Sequence, residues 1–439
     1  MKLPWFLLIS YYGLASAFQI QTTPTSTIRP QRLHRVGAPL SAVVDTNEGT
    51  PRDVGTMEEW ATACGVQRSE GFQLTSDDGG IDIYAMTSED LSEESPVLFV
   101  PNQLIFSSNM ARQELGGYID DAEDLVKRLD LEECIPEFYL MVKILMEYQQ
   151  GDQSLWFPWL NAMPRTYYNG ASMTPFCYEC LPPFVASLAM KERVKFINFN
   201  QAVQKVDFLS DEVKKDRDLV RWAYQIVCTR SFESDGDVRI VPMADMFNHG
   251  TETEVELRYD EEGNCYAYST QAVPAGSPLR VSYGDPTNPS LFFARYGFLD
   301  ESSPATFCKI MIKNPSSQLK DIGYDFSRML FFKDSGTVSE EVYDVLLFQS
   351  LSSSDRETAQ AFYQAHMSGD VDTKQAIHQH FYPQTVASLQ EHVDKFLKQL
   401  DELSAKGARK DVSEHPRLPL ILKHNEFVKE TFLAVKANL

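Results

Sequence analysis

The chain has 439 residues, a formal net charge of −22, 43% hydrophobic and 23% charged residues. That length exceeds a single compact core and predicts two packed units, in a chain whose composition is ordinary for a globular protein. Such an acidic balance argues against nucleic acid as a direct partner, because phosphate is repelled and no counterion release is gained, and it favours a basic patch on another protein.

The first fifty residues read as an address. Lys2 precedes an apolar run from Trp5 to Leu14 that is too short to span a bilayer, and Ala15-Ser16-Ala17 supplies small residues for cleavage. Residues 1–17 are therefore expected to be a signal peptide. Residues 18–50 are rich in Thr, Ser and Arg, with no acid before Asp45, which is the composition of a transit peptide. The pair resembles the bipartite presequences of plastids with extra membranes. It predicts a mature chain in the plastid stroma, off the membrane, with secretion as the alternative.

Strand patterns follow at Ile81–Ala85 and Val97–Val100, closed by Pro101. From Ala111 to about Gly151 the pattern is helical, with Leu140, Ile144 and Leu145 on one buried face. Trp156-Phe157-Pro158-Trp159-Leu160 reads as core packing. A second helix-rich stretch runs from Leu181 to about Phe232. Strands return at 239–241, 255–257, 265–268 and 279–283, with a turn at Pro274-Ala275-Gly276. From about Gln318 the chain is mainly helical. Val386, Leu389, Val393, Phe396, Leu397, Leu400 and Leu403 predict a helix packed in its own bundle.

Seven dispersed cysteines argue against a disulfide framework, and the single Cys177-x-x-Cys180 lacks a second pair at zinc spacing. No metal site is expected. Nucleophile-elbow, phosphate-loop and H-E-x-x-H patterns are absent from the sequence.

The informative residues are Thr229-Arg230-Ser231-Phe232, then Val241 through His249 (V-P-M-A-D-M-F-N-H), then Val281-Ser282-Tyr283-Gly284-Asp285, then Asn288 through Phe298. In that order they resemble the SET-domain family, and within it the Rubisco large-subunit methyltransferase branch. The resemblance spans about residues 71–439 and is strongest from Arg230 to Phe298. It implies an α+β architecture: a β-rich, pseudoknotted SET fold over 71–300 with a helical insert at about 105–225, followed by a mainly α-helical substrate-binding domain at 318–439.

The same resemblance implies a protein-lysine N-methyltransferase that uses S-adenosylmethionine, with the Rubisco large subunit or plastid fructose-bisphosphate aldolase as candidate substrates. Arg230 is expected to bind the cofactor's carboxylate, as a charge-assisted fork. Asn248, His249 and Gly80 are expected to hold the rest of the cofactor. Tyr283, Tyr296 and, more loosely aligned, Tyr259 are expected to line a narrow lysine channel.

Two departures stand out. Asp82 occupies the place of a family glycine, where an inward carboxylate would crowd the cofactor and repel its carboxylate. Asn288-Pro289-Ser290-Leu291 replaces the usual Asn-Ala-Glu-Leu. A catalytically silent SET-fold binding module and a protein-histidine methyltransferase are the alternative readings.

Overall fold

The computed structural model describes residues 43–287 and 289–439. The expected signal peptide, most of the transit segment and Asn288 lie outside the described residues. The described chain packs as two compact units. The first holds the described residues up to Asp121 together with Glu133–Arg165 and Val206–Ser282; the second holds Ala122–Glu132, Thr166–Lys205 and Tyr283–Leu439.

The first unit is built on short sheets. A four-stranded sheet runs in the order Gln67–Arg68, Pro96–Val100, Cys265–Ser269, Val255–Tyr259, all antiparallel. Phe72–Thr75 and Tyr84–Thr87 form a hairpin, and Phe106–Ser107, Asp237–Ile240 and Ser231–Ser234 a three-stranded sheet. Leu98, Val100, Cys265 and Ala267, paired across the two central strands, are at most 1% exposed on one face, as period-two alternation requires. Helices Ile135–Gln150 and Arg217–Arg230 pack together beside these sheets. Asp216 begins the second of them by accepting the Asp218 and Leu219 amides at 3.0 Å each.

The aromatic knot behaves as a core: Phe106 lies 4.9 Å from Trp156 and 5.0 Å from Trp159, ring to ring. Three sequence expectations shift. The helical stretch after Ala111 is three helices, Ser108–Leu115, Asp120–Arg128 and Ile135–Gln150, because Gly116-Gly117 and Asp130 interrupt it. The strand expected at Ile81 starts at Tyr84, since residues 76–82 fold onto their own side chains instead. Only Arg280–Val281 of the stretch 279–283 is regular strand.

The second unit is a helical bundle around one apolar core. The Val371–Gly407 helix buries Leu389, Val393, Phe396, Leu397 and Leu400 against Glu340–Ser354, Arg356–Ser368 and Leu418–Asn438. The heptad-like stripe is thus spent inside the unit. An antiparallel pair, Ala305–Phe307 with Leu330–Phe332, places a strand within the stretch after Gln318 that reads as helical; strands of three residues are too short to give a periodic signal.

Candidate active site

In the first unit, Asn248-His249 forms a two-residue parallel ladder with Arg280-Val281. Gly250 donates to the Val281 carbonyl at 3.1 Å, extending the pairing. Opposite, Met86 bridges Pro278, and Leu279 donates to the Ala85 carbonyl at 2.8 Å. These segments enclose a cleft of about 290 Å³ walled by Asp82, Tyr84, Met86, Asn248, His249 and the stretch from Pro278 to Arg280, with Gly276 at its edge.

The segment leading into Asn248 is held under tension. Met243 is wholly buried with φ +72° and ψ −43°, a conformation that side-chain-bearing residues rarely adopt and that tends to occur at functional sites. What over-determines it is a buried ion pair. Arg230, at the end of its helix, donates from Nη1 to the Asp245 carbonyl at 2.6 Å and approaches Asp245 Oδ2 at 3.3 Å. Trp159 Nε1 donates to the same oxygen at 3.1 Å. Burial pushes the Asp245 carboxyl above its ordinary value, against the pull of Arg230 and Trp159.

Asp82 lies in the cleft wall. Asn248 Nδ2 donates to Asp82 Oδ2 at 3.0 Å, so the residue that replaces the glycine is tied to one assigned to the cofactor. Its loop is fixed by Asp78, whose Oδ1 accepts the Ile81 and Asp82 amides at 3.0 and 2.9 Å, and by Arg52, which donates to the Ile81 carbonyl at 3.0 Å. Gly80 stands outside the cleft walls. It has φ +95°, and its amide donates to Ser76 Oγ at 2.8 Å. Tyr259 also stands outside them, on the Val255–Tyr259 strand, with the Arg239 guanidinium 4.5 Å above its ring and its hydroxyl pushed well up by burial. Arg280, Tyr84, Met86 and Leu279 are wall residues that sequence reasoning missed. Their signal was the neighbourhood of the two motifs, not the motifs themselves.

In the second unit, Tyr283 and Tyr296 come together, ring centroids 4.9 Å apart. Phe298 lies 6.2 Å from each, and Phe292 stacks on Phe298 at 5.7 Å and 16°. Both tyrosines are half-buried. The cluster is anchored by Gly297, whose φ is +84° and whose absent side chain lets the backbone of Tyr168 and Asn169 approach. A Cβ there would stand 2.5 Å from the Asn169 nitrogen. Gly297→Ala is accordingly expected to cost more than about 2 kcal/mol in denaturant melts. An unchanged midpoint would mean the Asn169 segment gives way freely.

No family model matches the chain. Human SET domain-containing protein 4 is 24% identical over 303 residues, covering 64% of this chain and 65% of that protein. The fission yeast (Schizosaccharomyces pombe) ribosomal lysine N-methyltransferase set10 is 22% identical over 260 residues, covering 56% of this chain and 45% of that one. The chain therefore spans less than two thirds of the length of either relative. Among solved structures, Rubisco LSMT bound to AdoMet aligns with a TM-score of 0.57 at 17% identity, over 89% of this chain and 92% of that one. The LSMT SET domain bound to lysine and AdoHcy aligns at 0.56, with 88% and 91% covered. The chain has the SET fold, with the architecture of Rubisco LSMT, and its sequence is similar to SET domain-containing protein 4.

Proposed function

We propose that the chain is an S-adenosylmethionine-dependent protein-lysine N-methyltransferase. The observation that carries the reading is the parallel pairing of Asn248-His249 with Arg280-Val281 beside the Asp82 cleft, in a chain of SET fold. The cleft suits part of an elongated polar cofactor: its size is near the lower end of ligand clefts and its walls mix amide, imidazole, carboxylate and aliphatic groups. When bound, the cofactor supplies a methyl group activated by a sulfonium.

Asn248 and His249 are the residues assigned to hold it. Arg230 orders the segment from Met243 to Phe247 that aims them, and the family resemblance adds a contact with the cofactor's carboxylate. Tyr283 and Tyr296 are assigned to the lysine. An aromatic wall strips water from an ammonium and lowers its pKa, so the amine enters neutral and needs no dedicated carboxylate base. With the cofactor bound, the Tyr283 hydroxyl and nearby carbonyls would hold the reacting carbon by weak C–H···O contacts. Tyr283→Phe is expected to lower kcat about 10- to 100-fold with little change in KM. An unaltered kcat would remove Tyr283 from the chemistry.

The presequence supports a stromal location, with the Rubisco large subunit and plastid aldolase as candidate substrates. The likeness to a ribosomal lysine methyltransferase adds ribosomal proteins, whose basic surfaces complement a net charge of −22. The test is transfer of labelled methyl groups from S-adenosylmethionine into a plastid extract by the full chain, with Tyr283→Phe as control. A band lost with the variant would identify the substrate. Label on histidine would favour the histidine-methyltransferase reading, and absence of both label and cofactor binding the silent binding module.

A further inference from the structure

The cleft's electrostatics can be read group by group. Arg280 is balanced in place: its Nε and Nη2 donate to the two carboxylate oxygens of Glu254 at 3.0 and 2.6 Å. Asp77 is engaged by the hydroxyl of the wall residue Tyr84 at 2.8 Å, and Asp78 is turned onto the amides of its own loop. His249 is the remaining ionisable wall residue. Among the described residues, no cation pairs with Asp82. Asn248 uses one of its oxygens, and a carboxylate has room for several donors. The result is a preorganised anion in the wall, held there by Asp78, Arg52 and Asn248.

We propose that Asp82 is a specificity residue of this cleft, whose carboxylate makes it favour the cationic sulfonium cofactor over the uncharged thioether S-adenosylhomocysteine. The inference rests on the functional reading above. S-adenosylmethionine carries a positive charge that its demethylated counterpart lacks, while the two share adenosine and amino-acid parts. An exposed anion in the cleft wall, partly screened by solvent, acts on that difference and leaves the shared contacts alone. A glycine in the same place provides no such term. The consequence is a protein that sheds the thioether readily and is weakly inhibited by it.

The deciding experiment is calorimetric titration of the full chain with each of the two compounds, for the wild type and for Asp82→Asn. Asparagine keeps the shape and an acceptor for Asn248 but removes the charge. The wild type should bind S-adenosylmethionine about fivefold or more tightly than S-adenosylhomocysteine, a preference that added salt erodes. In Asp82→Asn the sulfonium compound should weaken by about five- to tenfold, with the thioether changed less than about twofold. Equal weakening of both ligands, or of neither, overturns the proposal. A wild type that binds neither compound overturns the methyltransferase reading itself, before any variant is compared.

Discussion

Replacing Lys309 with methionine is expected to stabilise the protein by about 2 kcal/mol at pH 6 and to give no gain at pH 10. Lys309 is 4% exposed, set between the Phe184 and Phe307 rings, with Nζ donating to Ser290 Oγ at 3.0 Å and Thr306 Oγ1 at 3.1 Å. Two neutral hydroxyls do not replace the hydration of an ammonium, and burial lowers the pKa to about 7. The unfolded chain keeps this proton until about pH 10.4, so between those values the unfolded state binds more protons and stability rises with pH. Below pH 7 both states are charged and the full cost, roughly 4 kcal/mol, is present. Methionine removes that cost but forfeits two hydrogen bonds of about 1 kcal/mol each. Buried His424 works in the same direction: burial and the nearby Lys309 hold it down to about 3, so it costs stability only below its unfolded value near 6.5. Melts of wild type and Lys309→Met at pH 6 and pH 10 decide the matter. An equal change at both would show that packing, not ionisation, governs this site.

Arg230→Met should destabilise the first unit by about 3–5 kcal/mol, because it leaves the buried Asp245 without the guanidinium at 3.3 Å, its main compensating cation, and with only the weaker pull of Arg52. The loss should be larger at pH 8 than at pH 5. Without arginine the folded carboxyl titrates further above its unfolded value, so the folded state holds a proton that the unfolded chain has released, and stability falls as pH rises. Asp245→Asn in the same background should recover most of the stability, since it removes the charge and keeps an acceptor for Trp159. Failure of that rescue would mean the guanidinium's contact with the Asp245 carbonyl, at 2.6 Å, carries the effect instead.

The α+β class, the SET fold and the helical C-terminal region were legible because four motifs occur in order and an apolar stripe at helical spacing follows them at 386–403. The pairing of Tyr283 with Tyr296 was what the family resemblance implied, and their ring centroids lie 4.9 Å apart. The cleft was less visible. Asp82 and Asn248 are 166 positions apart, and no local periodicity reports a hydrogen bond across that distance. Strands of two residues, such as Asn248–His249 and Arg280–Val281, are shorter than one period of the alternation used to find strands. Gly80 and Tyr259 were assigned by alignment alone; in the structure the Gly80 amide donates to Ser76 Oγ and the Arg239 guanidinium stands over the Tyr259 ring. Lys309 had a signal that went unread, a lone charge inside the apolar run Phe307-Cys308-Lys309-Ile310-Met311.

The cleft's wall pieces are also far apart in time. During synthesis the loop bearing Asp82 leaves the ribosome long before Asn248 and Arg280 exist, and it has no wall to face until they arrive. Closing the two-residue ladder is a non-local event with few hydrogen bonds to reward it, so it is expected to form last and open first. A small molecule that binds only the closed cleft adds its binding energy at that last stage. The supply of whatever small molecule fills the cleft would then govern how quickly newly made chains mature.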